Sequence, residues 1–109
     1  SFIDSGSNGI FVDDSSIPRC STGFYCPSAT ISASATNQGK NGASNTVAFQ
    51  IANADALFSN NFAAFDSLAG PNGDSGSFDW GIPFFYGRTV FTALEGRTTP
   101  RGTGPYFAY

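Results

Sequence analysis

Histidine and methionine are absent from this 109-residue chain, lysine and arginine together number 5, and there are only 2 cysteines. Without an imidazole there is no Ser-His-Asp or Cys-His catalysis, no histidine metal ligand and no side chain that ordinarily titrates near neutral pH. The basic residues Arg19, Lys40, Arg88, Arg97 and Arg101 stand singly along the chain. Neutralising phosphates needs a basic stripe, so nucleic acid is not expected as a partner. No apolar run approaches the ~20 residues that span a bilayer as a helix, and no signal-peptide pattern is present. A chain without Met that begins at Ser1 is expected to be a processed or excised piece, its targeting segment lying upstream.

A single small domain is what this length can make, burying about two-thirds of the surface that the unfolded chain exposes. Cys20 and Cys26 enclose Ser-Thr-Gly-Phe-Tyr. They read either as a short-loop disulfide or as two reduced structural thiols; with no His beside them a metal site is not expected, nor is a cofactor. The Ser-, Thr-, Asn- and Gly-rich, Lys-poor composition is that of exported proteins and favours the disulfide. An oxidising compartment follows, hence a secreted or periplasmic protein. No Asn-x-Ser/Thr sequon occurs, so there is no glycan signature of a eukaryotic secretory route.

Asn-Gly steps at 8–9, 41–42 and 72–73, with many other glycines, cut the sequence into short segments, which points to β structure. Ile31, Ala33 and Ala35 alternate with Thr30, Ser32 and Ser34, and Val47, Phe49 and Ile51 alternate with Thr46, Ala48 and Gln50. Period-two alternation predicts two half-buried strands, joined as a hairpin with a loose tip around Asn37 to Gly42. Arg88 to Leu94 and Pro105 to Tyr109 read as further strands. Phe62, Phe65 and Leu68 stand three apart and predict two helical turns over Asn61 to Leu68, ending at Gly70-Pro71. A second short helix is expected at Ile82 to Tyr86, with Pro83 in its first turn. The 12 phenylalanines read mostly as core. Phe84-Phe85-Tyr86 and Tyr106 to Tyr109 carry aromatics on both faces of their segments, so some aromatic surface is expected to meet a partner.

The residue to explain is Asp4, in Phe2-Ile3-Asp4-Ser5-Gly6-Ser7. An Asp-Ser/Thr-Gly-Ser/Thr tetrad lets a carboxylate accept one hydrogen bond from the fourth-position hydroxyl and another from a backbone N–H near the glycine. A carboxylate held in this way can activate water, although the tetrad alone also fits an Asx-turn between strands. Asp13 and Asp14 lead into Ser15-Ser16 as turn or cap candidates, and Asp55, Asp66 and Asp74 read as solvated loop or helix-end residues. Asp79 is the rival acid for a role at a site.

Read end to end, the chain resembles the C-terminal lobe of a pepsin-like aspartic peptidase. Phe2 to Phe11 is similar to that family's apolar strand, acidic turn and following apolar strand. Trp80-Gly81-Ile82-Pro83-Phe84-Phe85-Tyr86-Gly87-Arg88-Thr89-Val90-Phe91 is similar to the late segment in which an apolar-Gly step passes behind the catalytic turn, enters a short helix and leaves as a strand. Gly104 to Tyr109 falls where the last strand of the lobe would lie. The two anchors stand about 75 residues apart in the expected order. Closer still is the likeness to a family of exported bacterial proteins with this tetrad, a Cys-x5-Cys loop and a Gly-x-Pro-Phe-Phe-Tyr-Gly-Arg segment. Two departures stand out: the peptidases usually carry two apolar residues before the late glycine, where this chain has Asp79-Trp80, and the Cys20–Cys26 loop is unlike the pepsin arrangement.

The resemblance implies a mainly β fold: residues 1–109 as one lobe, a closed or highly twisted barrel-like sheet with one or two short helices. It implies that Asp4 supplies one of two carboxylates sharing a proton around a water, that Ser5 grips the opposite lobe through its hydroxyl, that Gly6 allows close backbone approach, and that Ser7 bonds the outer carboxylate oxygen. Trp80 and Gly81 would support the turn from behind. The implied partners are a second lobe, from the same precursor or a second copy about a twofold axis, and a peptide substrate. The competing expectation is a catalytically inactive secreted β-domain used for adhesion or self-assembly, since fold does not fix activity.

Overall fold

A computed structural model describes all 109 residues, Ser1–Tyr109. Turn residues recur so often that no segment exceeds eight residues before the chain reverses, and strands prevail: β1 (Phe2–Ile3), β2 (Ile10–Val12), β3 (Ile31–Gln38), β4 (Ser44–Ile51), β5 (Ala69–Gly70), β6 (Phe78–Trp80), β7 (Phe91–Ala93), β8 (Thr98–Thr99), β9 (Gly102–Thr103) and β10 (Tyr106–Ala108). The helical content is α1 (Ala54–Phe58) and a 3-10 turn at Ile82–Phe85 that has Pro83 in its first turn.

A four-stranded sheet in the order β1-β6-β2-β5 forms the centre. Strand β6 runs parallel to β1 and antiparallel to β2, so Trp80 lies between Ile3 and Ile10 while Asp79 lies between Phe2 and Phe11. Around the sheet stand three two-stranded ribbons, β3-β4, β7-β10 and β8-β9. The β3-β4 hairpin has the register that alternation demands, with apolar pairs Ile31↔Ile51, Ala33↔Phe49 and Ala35↔Val47 on one face. Its tip at residues 39–43 is closed by Gly39 N–H donating to Ala43 O (2.8 Å).

The expected barrel does not close. Its would-be seam strands, β1 and β5, are the two edges of the sheet, are two residues long each and do not pair with each other. The ribbons project instead, giving extents of 46 × 29 × 20 Å and a radius of gyration of 15.3 Å, above the ~13 Å of a compact chain of this length.

The helix predicted at Asn61 to Leu68 is also displaced. Helix formation begins where a cap exists, and the Asn53 side chain accepts from Ala56 N–H (3.1 Å) to start α1 over Ala54-Asp55-Ala56-Leu57-Phe58. Residues 61–68 are irregular: Phe62 is 73% exposed, Phe65 packs on Phe58, and Leu68 O accepts from Ile10 N–H as the chain extends into β5. The strand expected from Arg88 shortens to Phe91–Ala93, because Arg88 N–H still donates to Phe85 O and its guanidinium lies over the Phe84 ring, 4.3 Å from the centroid.

Ile10, Ile17, Tyr25, Val47, Ile51, Ala69, Trp80 and Phe84 make the core. The Trp80 ring packs against Phe78, Phe49 and Phe84 at centroid distances of 4.4, 5.6 and 5.3 Å, and its Nε1–H donates to Asn37 Oδ1 (2.8 Å). Fully buried Tyr25 donates its hydroxyl to Val12 O (2.7 Å) and accepts from Asp14 N–H (2.8 Å), satisfying its polar end. The phenylalanines are not mostly core: Phe84 alone is buried, whereas Phe2, Phe58, Phe62, Phe91 and Phe107 are exposed, because a small sheet flanked by open ribbons has too little interior for twelve rings. Tyr86 and Tyr109 are exposed as well, in the two aromatic segments singled out above.

Cys20 and Cys26 form a disulfide, which closes the loop that carries Tyr25 into the core. No helix is long and apolar enough to cross a membrane. Replacing both cysteines with serine should cost about 2 kcal/mol of unfolding free energy by removing a short cross-link from the unfolded chain. Urea denaturation of the oxidised protein and the double variant measures this, and equal midpoints would show that the loop is held without the bond.

Candidate functional site

The turn after β1 is fixed at its backbone before any side chain acts. Asp4 N–H donates to Trp80 O (3.0 Å), Ser7 N–H donates back to Asp4 O (3.2 Å), and Ile82 N–H donates to Ser7 O (2.7 Å). The Asp4-Ser7 turn is thereby stapled to β6 on one side of Gly81 and to the 3-10 turn on the other. A Cβ built at Gly81 would stand 2.7 Å from Ser7 O and 2.9 Å from Ser7 Cβ, and would collide outright with the Gly9 carbonyl oxygen. Only glycine permits this approach, and the reason is space rather than an unusual φ, since Gly81 is extended.

On this base the Asp4 carboxylate is held at both oxygens. Gly6 N–H donates to Oδ1 (2.8 Å), and Ser7 Oγ is 3.0 Å from Oδ2. Two donors on a carboxylate fix its orientation. Asp4 remains partly open to solvent, and Ser5 and Gly6 are exposed at the rim. Beside them runs a groove of about 370 Å³ whose polar wall is Ser5 to Asn8 and whose apolar wall includes Phe58, Phe65, Leu68 and Ile82. The structure thus brings Asp4, Ser5, Gly6, Ser7 and Gly81 together at one turn, of which Ser5, Gly6 and Ser7 line the groove, while Trp80 backs the turn from the core. Cys20 and Cys26 sit apart from it. Asp55 lies near these sulfurs, but a disulfide offers no thiolate to a metal.

Sequence reasoning set Asp79 aside as a rival, and the structure draws it in. Its Oδ2 lies 2.5 Å from Ser7 Oγ, so one hydroxyl stands between two carboxyl groups that are 75 positions apart in sequence. Asp79 is 5% exposed, and its Oδ1 has no hydrogen-bond partner. Burial pushes its pKa above the ordinary aspartate value; the Ser7 hydroxyl opposes that rise, and the nearby Asp4 charge adds to it. The signal available in the sequence was the acid standing where an apolar residue precedes the Trp-Gly step.

Three of the other acids serve the backbone. Asp13 Oδ1 accepts from Asn72 and Gly73 N–H groups (2.9 and 3.1 Å), tying the end of β2 to the turn before β6. Asp14 Oδ1 accepts from both the Ser16 hydroxyl and the Ser16 N–H, which lower its pKa, the hydroxyl more strongly. Asp74 closes its own turn by accepting from Gly76 N–H.

Residues 1–109 match the model of a family described as "Protein of unknown function (DUF3443)", and the chain belongs to that family. No curated protein and no solved structure matches it.

Gly81→Ala should destabilise the domain by about 3 kcal/mol, at the upper end of overpacking costs, because the colliding atoms are backbone and cannot rotate away. Denaturation midpoints and amide chemical shifts of residues 4–9 measure it. A variant with unchanged stability and unchanged shifts would mean that the turn does not rest on β6.

Proposed function

We propose that this member of the DUF3443 family is one lobe of an aspartic endopeptidase, with Asp4 supplying one of two carboxylates that activate water against a peptide bond. One observation carries the reading: a partly solvated carboxylate, held at both oxygens by its own turn, whose following residues Ser5 to Asn8 line a groove with an apolar wall. Two carboxyl groups about 3 Å apart share one proton, because both cannot ionise readily; the acid form polarises the scissile carbonyl and the anion takes a proton from water. Asp79 does not serve as the second group, since at 5% exposure it has no access to a substrate. The second carboxylate therefore comes from another lobe, either of the same precursor or of a second copy across a twofold axis.

Several features suit that arrangement. Ser5 is exposed beside Asp4, free to donate its hydroxyl across a lobe boundary, and the exposed Phe58 leaves apolar surface uncovered on the groove wall. The apolar wall of the groove suits a hydrophobic side chain of a peptide substrate. The disulfide suits a secreted or periplasmic, bacterial exported protein.

A second reading has its own support. Phe91 and Phe107, on the β7-β10 ribbon, and Leu94 just beyond β7 are 63, 47 and 68% exposed, more apolar surface than a two-stranded ribbon needs for itself. Such uncovered apolar side chains, with Phe91 and Phe107 on opposite faces of the ribbon, would serve a catalytically inactive β-domain in adhesion or self-assembly.

The complete gene product, lobes paired, should cleave peptides with an acidic optimum, because activity requires a singly protonated pair and raising the pH removes the shared proton. Asp4→Asn should reduce turnover by about a thousandfold or more with unchanged fold, since an amide cannot accept a proton from water. Initial rates on a peptide library across pH decide between the readings: no cleavage at any pH would replace the peptidase with the assembly reading, and cleavage that survives Asp4→Asn would remove Asp4 from the dyad.

A further inference from the structure

Ser7 poses a counting problem. Its Oγ is within hydrogen-bond reach of Asp4 Oδ2 (3.0 Å) and of Asp79 Oδ2 (2.5 Å), yet a hydroxyl carries one proton and can donate it to only one of them. If both carboxyl groups were anions, one would face the Ser7 lone pairs across a hydrogen-bond distance with no proton between. One of the two contacts must run the other way, with a carboxylic acid donating to the serine oxygen.

The surroundings decide which. Asp4 is partly solvated and takes a backbone N–H on its other oxygen, conditions that suit an anion. Asp79 lies inside the sheet, 5% exposed, and its Oδ1 has neither a protein donor nor access to solvent. An ionised carboxylate with a buried, unpartnered oxygen is costly, whereas the carbonyl oxygen of a neutral acid loses far less. We propose that Asp79 sits in the fold as a neutral carboxylic acid whose Oδ2–H donates to Ser7 Oγ, so that the one Ser7 hydroxyl proton is committed to Asp4 Oδ2.

The groups around Asp79 agree. It stands on β6 between β1 (Phe2–Ile3) and β2 (Ile10–Val12), neither of which carries a titratable side chain, and the 3-10 turn Ile82–Phe85 carries none. The charged group that acts on it is Asp4, whose negative charge, like burial, favours the neutral form. Asp79 is in this account a positioning residue: it never touches substrate, and it acts through Ser7 by fixing which way the hydroxyl points. Its use in peptide hydrolysis rests on the peptidase reading proposed above, but the hydrogen-bond direction does not.

Protonation can accordingly be read on the folded chain without any activity. Side-chain carboxyl carbon NMR across pH should show the Asp79 carbon still at its protonated position well above 3.8, the ordinary aspartate value, with the resonance assigned by its loss in Asp79→Asn. Asp4→Asn should move the Asp79 midpoint downward, because it removes the charge that opposes ionisation, while leaving the burial contribution in place. Stability gives a second readout. A raised folded-state pKa means that the folded chain holds more protons than the unfolded chain between the two values, so wild-type stability falls as pH rises through that window. Asp79→Asn, whose amide can donate to Ser7 as the acid does, should abolish that fall and be the more stable protein above the window. An Asp79 carbon that ionises at or below 3.8, a midpoint unmoved by Asp4→Asn, or an Asp79→Asn variant less stable than wild type at neutral pH would each overturn the proposal. A missing peptidase activity would overturn only the reading on which its catalytic use depends.

Discussion

The acidic turn depends on there being no side chain at Gly81. Two backbone hydrogen bonds, Asp4 N–H to Trp80 O and Ile82 N–H to Ser7 O, bring the Asp4-Ser7 turn down on the end of β6, and they can form together only because Ser7 O and Gly9 O occupy the volume that a Cβ would need. Remove that space and Ile82 N–H loses Ser7 O, Ser7 moves, and with it goes the hydroxyl that orders Asp4. The position of a carboxylate near residue 4 is thus set by a glycine near residue 81, through packing rather than through any direct contact between them.

Strand β6 serves two environments at once because side chains alternate across a pleated strand. Trp80 enters the aromatic core with Phe49, Phe78 and Phe84, while Asp79, the residue before it, meets Ser7 under the turn. Anchoring by the large ring holds the backbone of the strand still. The buried acid on the other face then meets its serine at a fixed distance. A polar group so deep in a small domain is costly unless it is satisfied, and one of its two oxygens is not. This local conflict inside an otherwise consistent strand is what marks Asp79 as more than a structural residue.

Features set by local chemistry could be read from the sequence. The β3-β4 hairpin follows from period-two alternation on either side of a Gly-Lys-Asn-Gly tip, and the 3-10 turn follows from Pro83, two residues after the glycine of the Trp-Gly step. The turn donors to Asp4 are contained within its own tetrad. Features set by competition or by distant contacts could not. Phe62, Phe65 and Leu68 have helical spacing, but Asn53 offers a cap eight residues earlier and the helix forms there; Leu68 is then drawn into the sheet by Ile10. Barrel closure depends on how edge strands only two residues long meet in space, which alternation does not encode. The Ser7–Asp79 contact joins residues 72 positions apart, and nothing near either of them announces it.

If Asp4 is half of a peptidase dyad, the most direct test is a crystal structure of the paired, full-length protein with a peptide mimic that carries a hydroxyl in place of the scissile carbonyl. Such a mimic is complementary to the tetrahedral intermediate and binds a competent dyad far more tightly than substrate. The account predicts that hydroxyl within hydrogen-bond distance of an Asp4 carboxylate oxygen and of a second carboxylate contributed by the other lobe, with the mimic's backbone along the groove beside Ser5 to Asn8. A mimic bound away from Asp4, or Asp4 facing no second carboxylate in the assembled protein, would contradict it.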